Sequence, residues 1–85
     1  MPTNITRDEI SALAYKISTE HKTYDQFCWQ LAEIELKLER GSKPEGSAIR
    51  ALAQSIFEQH MEPSVLHWLI AERSLLLKQK FPALK

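Results

Sequence analysis

The chain has 85 residues, enough for one domain, and a domain of this size buries only about 60–65% of its unfolded surface. Its 11 basic and 11 acidic residues give a formal net charge of zero, which excludes the overall positive charge typical of proteins that bind nucleic acid or a membrane surface. The single Cys28 cannot form an internal disulfide, and neither a signal peptide nor a run of about 20 apolar residues occurs. We therefore expect a cytoplasmic protein, with neither nucleic acid nor membrane as a partner.

The chain contains an internal repeat. The segment Trp29-Gln30-Leu31-Ala32-Glu33 returns as Trp68-Leu69-Ile70-Ala71-Glu72, 39 residues further on. Aligning residues 10–38 with 49–77 without a gap gives 11 identities in 29 positions, where ordinary composition gives roughly two or three. We expect a duplicated single domain, 1–85, with repeat 1 at about 6–40, a linker at 41–47 and repeat 2 at about 48–80.

The first helix is predicted from about Arg7 to His21, after a frayed segment 1–4. Thr6 is a good N-cap, and Glu9 lies three residues later as the partner in a capping box. The spacing i, i+3, i+4, i+7 predicts one apolar face, made of Ile10, Leu13, Ala14 and Ile17 and widened by Ala12 and Tyr15.

The second helix is predicted from about Tyr24 to Arg40. Thr23 and Gln26 form another capping-box pattern, and Gly41 follows the basic end of the helix as a C-cap. One or two residues separate this helix from the first, which predicts an antiparallel helical hairpin. Its apolar positions fall in two stripes: Phe27, Leu31, Ile34 and Leu38 in one, and Trp29, Ala32 and Leu36 in the other.

The start of the third helix has two alternatives. Ser42 with Glu45 is a capping-box pattern that predicts a start at Lys43, and the other alternative is a start after Ser47. In both cases the helix is expected to end near His60. Its inward-facing residues are predicted to be Ile49, Leu52, Ala53, Ile56 and Phe57.

The fourth helix is predicted to begin with Pro63 in its first turn, to continue to about Lys80 and to be stopped by Pro82. No alternating pattern or Asn-Gly or Asp-Gly turn predicts a β-hairpin. The expected fold is therefore all-α, with tandem duplicated helical hairpins packed as a four-helix bundle with pseudo-two-fold symmetry.

Trp29 and Glu33, like Trp68 and Glu72, lie one turn apart on one helix face. The simplest interpretation is structural: each Glu orients the helices through a hydrogen bond or a salt bridge, and it could accept the indole N–H. The alternative is a helical bundle that binds a small ligand or metal ion near Glu33 and Glu72. Metal sites of this kind usually add Glu-x-x-His pairs, which the chain lacks, and His21 and His60 are expected at helix ends beside the negative end of the dipole.

The fourth helix carries more apolar residues than one seam of a small bundle can bury, which is typical of an interface. Self-association as a homodimer, a different protein partner and full burial in a monomer are the three explanations. The chain has no nucleophile elbow or P-loop, so we expect a non-enzymatic protein-interaction or oligomerisation module without a cofactor. The interface candidates are Trp68, Leu69, Ala71, Glu72 and Leu76, together with Trp29 and Glu33.

The motif Ile10-x-x-x-Ala14-Tyr15 followed by Trp29-x-x-Ala32-Glu33-x-x-Leu36 resembles a short bacterial family of unknown function whose members carry an Ile, Ala-Tyr, His-Trp, Ala-Glu helical hairpin. The second repeat supplies His67-Trp68-Leu69-x-Ala71-Glu72-Arg73, which matches that pattern more closely. The resemblance implies the helical hairpin and a bacterial cytoplasmic setting, and it implies no established activity.

Overall fold

The computed structural model describes residues 5–82, so the predicted fraying of residues 1–4 lies outside the described residues. The protein is an all-α four-helix bundle, as predicted, and no strand occurs within 5–82. The four helices are α1 (Arg7–Ser18), α2 (Tyr24–Arg40), α3 (Gly46–Glu58) and α4 (Pro63–Lys80).

Two of the three predicted capping boxes, those of α1 and α2, are confirmed. The Thr6 hydroxyl accepts the Glu9 N–H at 3.1 Å, and the Glu9 carboxylate accepts the Thr6 N–H at 3.2 Å. Thr23 and Gln26 form the same reciprocal pair at the start of α2, at 3.2 and 2.9 Å. These side chains satisfy N–H groups that the first helical turn leaves without a partner.

The first helix ends three residues before the predicted His21. The hydroxyls of Ser18 and Thr19 donate to the carbonyls of Tyr15 and Lys16 at 2.6 and 2.7 Å, which satisfies carbonyls that a longer helix would use. His21 then has a φ of 56°, and His60, its equivalent after α3, has a φ of 53°. Both histidines therefore lie near helix ends, as predicted, but just outside the helices.

The linker after α2 begins with the predicted C-cap. Gly41 has a φ of 70° and donates its N–H to the Lys37 carbonyl at 2.8 Å. The third helix begins at Gly46 with Glu45 as N-cap and no side-chain capping bond, so the predicted Ser42 capping box is wrong. This start lies between the two predicted alternatives. A start at Lys43 is disfavoured because Pro44 disfavours a helical conformation of the residue before it.

The predicted boundaries of α4 are confirmed. Pro63 occupies the first helical position, where its missing N–H costs nothing, and the helix ends at Lys80. Phe81 follows with a φ of −135°, outside the helical region, because Pro82 restricts the residue before it.

Helix pairing differs from the predicted hairpins. The second helices of the two repeats, α2 and α4, pack against each other, while α1 packs on α4 and α3 packs on α2. Within residues 5–82, no close backbone approach joins α1 to α2 or α3 to α4. Each first helix therefore packs on the second helix of the other repeat. Loop length does not explain the difference, because the five residues 19–23 would still allow a hairpin. The pairing follows from burial instead, since α2 and α4 are each covered by two neighbouring helices.

Equivalent residues of the repeats share the core. Leu31 and Ile70 are buried, as are Ala32 and Ala71, in one hydrophobic core. The outer helices α1 and α3 each bury a narrower stripe because each packs on one helix only. For this reason the prediction that Ala12, Tyr15 and Phe57 face inward is wrong, and Tyr15 is 74% exposed. No helix of the described chain combines the length and the apolar character needed to cross a membrane.

Candidate functional site

The predicted contact face of α4 is largely covered by the protein itself. Helices α1 and α2 both pack on α4, which explains why α4 is apolar around most of its circumference. Ala71 is 0% exposed, so it offers no surface to a partner in this structure. Trp68, Leu69 and Leu76 are half-buried, and their role in an interface stays a prediction.

The carboxylates of Glu33 and Glu72 both form ion pairs. Glu33 lies 3.6 Å from the Lys37 ammonium one turn along α2. Glu72 accepts a hydrogen bond from Arg73, whose Nε donates to Glu35 of α2 at 2.7 Å and so links α4 to α2. Among residues 5–82, no group of three or more His, Cys, Asp or Glu side chains is arranged to hold a metal ion. The alternative ligand or metal site near Glu33 and Glu72 stays a prediction.

The two tryptophans have different surroundings although their positions in the repeats are equivalent. The Arg7 guanidinium of α1 lies 6.0 Å from the centre of the Trp68 ring, at cation–π distance. The residue equivalent to Arg7 in the second repeat is Gly46, which has no side chain. Trp29 is 39% exposed, whereas Trp68 is half-buried. The second tryptophan therefore has a cationic side chain near its ring that the equivalent position of the other repeat does not supply.

Trp29 lies in an open groove between α2 and α3. The groove has a volume of about 360 Å³ and is lined by Asp25, Cys28, Trp29, Arg50, Ala53, Gln54 and Phe57. Phe57 is 43% exposed and makes an edge-to-face contact with Tyr24, with 5.6 Å between the ring centres. Tyr24 is fixed in turn because its hydroxyl donates to the Met61 carbonyl at 2.9 Å. The groove thus presents two aromatic side chains on rigid helices.

The two charged residues of the groove lie at opposite ends of it. The start of α2 contacts the end of α3 through Tyr24 and Phe57, so the two helices run antiparallel. Asp25 is in the first turn of α2, and Arg50 is near the start of α3. Both side chains are exposed, and among the described residues neither has a salt-bridge partner. One end of the groove is therefore acidic and the other end is basic.

Cys28 contributes to the floor of the groove and is only 1% exposed. Burial raises the pKa of its thiol, and the negative charge of Asp25 raises it further. The reactive form of a cysteine is the thiolate, so this thiol is held in its unreactive protonated form. The groove can bind an apolar surface, but its cysteine is not an activated nucleophile.

Sequence reasoning assigned Trp29 to the interface candidates but missed Phe57 and the groove. Aligning the repeats beyond their identical positions would have given a signal, because Gly46 stands where Arg7 stands in the first repeat. Comparisons with protein-family models, with curated proteins and with solved structures found no match. The resemblance to the short bacterial family of unknown function stays a prediction.

Proposed function

We propose that this chain is a non-enzymatic helical module that works by binding protein, either as a homodimer or with another protein. The observation that carries the proposal is the pair of exposed aromatic residues, Trp29 and Phe57, in one groove. Aromatic residues are enriched among the residues that dominate protein–protein binding energy. The proposed contact surface is the α2–α3 groove.

The exposed aromatic surface is large enough to contribute substantially to binding. A fully exposed Trp side chain offers roughly 250 Å², so the 39% exposure of Trp29 leaves roughly 100 Å² in water. At about 25 cal/mol per Å², burial of that surface contributes about 2.5 kcal/mol, and Phe57 adds about 2 kcal/mol on the same basis. Both residues are on helices that the core holds in place, so little conformational entropy is lost on binding.

A reducing, cytoplasmic setting in a bacterium is part of the same proposal. Its support is the single buried Cys28, which is a free thiol, together with the resemblance noted above. Catalysis is not part of the proposal, because the exposed chemistry of the groove is aromatic and its thiol is buried and protonated.

The test compares Trp29→Ala/Phe57→Ala with Tyr15→Ala, which removes a more exposed aromatic residue from α1, outside the groove. Each purified variant is measured by light scattering over a concentration series and used as bait in a bacterial lysate. We expect the wild type and Tyr15→Ala to form a homodimer or retain the same stoichiometric partner, and the double variant to lose it. Equal behaviour of all three proteins would contradict the proposal.

A further inference from the structure

We propose that the partner in the α2–α3 groove is a second copy of this chain, related by a two-fold axis that places Asp25 of each copy against Arg50 of the other. This inference rests on the proposed function, because it names the partner of the same groove.

The charge arrangement of the groove is self-complementary. In a two-fold dimer the same patch meets itself, so residue i of one copy contacts residue j of the other, and j contacts i. A two-fold axis through the middle of the groove exchanges its ends, and the acidic end of one copy then meets the basic end of the other. Asp25 and Arg50 lie at these two ends and have no salt-bridge partner within the described residues. Each copy therefore supplies salt-bridge partners for Asp25 and Arg50 of the other.

The overall charge also favours a second copy. The formal net charge is zero, so two identical chains meet without long-range repulsion. A groove suited to a strongly acidic or basic partner would carry charge of one sign, but this one carries one acidic and one basic side chain.

The two repeats differ at the position that supplies a cation to Trp68. Arg7 lies over Trp68 between α1 and α4, whereas the equivalent residue of the second repeat, Gly46, has no side chain. A Cβ atom built on Gly46 meets no atom within 4 Å, so the space beside it is open. The start of α3 therefore leaves room for a second copy beside the groove.

The concave surface extends beyond the two aromatic residues. Trp29 also lines a neighbouring hollow on α2, which is formed with Lys22, Gln26, Gln30 and Glu33. A stable dimer usually buries about 800 Å² per partner, with an apolar centre and a polar rim. Trp29 lies between the apolar groove and the hollow, which is lined mainly by polar side chains. The groove can therefore form the apolar centre of the contact, and the hollow can form part of its polar rim.

Charge reversal tests the pairing directly. Asp25→Lys places two like-charged pairs in the dimer, and so does Arg50→Glu, so each variant alone should dimerise about 100-fold more weakly than the wild type. In an equimolar mixture of the two variants, Lys at position 25 of one chain faces Glu at position 50 of the other, and Arg50 faces Asp25. We expect this mixture to form a one-to-one heterodimer, seen by light scattering and by mass spectrometry under native conditions.

Two control variants carry the same charge changes elsewhere. Asp8→Lys reverses an acidic residue in the first turn of α1, and Lys16→Glu reverses a basic residue in its last turn. Both should dimerise like the wild type, and circular dichroism checks that every variant keeps its helices. A wild type that is monomeric at all concentrations would overturn the second-copy inference, and the lysate experiment would still decide the proposed function. A wild-type dimer with single variants that dimerise equally well would also overturn it.

Discussion

Replacing Gly46 by Arg should restore over Trp29 the cover that Arg7 gives Trp68. The space allows it, because a Cβ at Gly46 meets no atom within 4 Å. Covering half of the roughly 100 Å² that Trp29 exposes contributes about 1.2 kcal/mol. Fixing a long Arg side chain costs up to about 2 kcal/mol, and a cation at a helix start costs about 0.3–1 kcal/mol. The monomer should therefore change in stability by no more than about 1–2 kcal/mol.

The sensitive measurement is the accessibility of the indole. In a Trp68→Phe background, Trp29 is the only tryptophan. Acrylamide quenching of the dilute monomer then reports how much of the indole ring is accessible to solvent. We expect Gly46→Arg to lower the quenching constant by about half, in proportion to the area covered. Gly46→Ala is the control, because it changes helix propensity without reaching the ring. Equal quenching constants for the Arg and Ala variants would refute the explanation of why Trp29 is exposed.

Three further predictions concern the fold. Ile70→Ala, at a fully buried position of α4, should cost about 2–5 kcal/mol of unfolding free energy in urea, and Val65→Ala, on the surface of the same helix, less than about 1 kcal/mol. Equal costs would contradict the packing described for α4. Gly41→Ala should lower the melting temperature because of its left-handed backbone, with a cost of about 1–2 kcal/mol, whereas Gly46→Ala should be neutral or stabilising. Burial raises the pKa of Tyr24 above its ordinary 10.0, so its contribution to stability is complete below that pH and is lost as the pH rises through the raised value. Tyr24→Phe should lose less stability between about pH 8 and 11 than the wild type in urea titrations, and an identical loss would refute this assignment.

Local signals in the sequence were enough for most helix boundaries. Thr6, Thr23 and Gly41 form the predicted caps because these signals act within one helical turn. The end of α1 was missed because the hydroxyls of Ser18 and Thr19 donate to carbonyls of the preceding turn. Helix propensity alone does not predict these side-chain hydrogen bonds.

Helix pairing depends on contacts between distant residues, which periodicity does not specify. The apolar pattern of α4 indicated correctly that it has more than one buried side, but the two covering helices belong to the protein itself. This is why Ala71 is buried. The difference between Arg7 and Gly46 lies outside the identical positions of the repeats, so the repeat pattern did not indicate it.

The most direct test of the groove as the contact surface is the quenching of Trp29 fluorescence in the Trp68→Phe variant, followed on dilution beside its mass by light scattering. We predict that the quenching constant rises as the dimer dissociates, because separation of the two copies returns roughly 100 Å² of Trp29 to water. A mass that falls from dimer to monomer while the quenching constant stays unchanged would place the interface elsewhere and contradict the account.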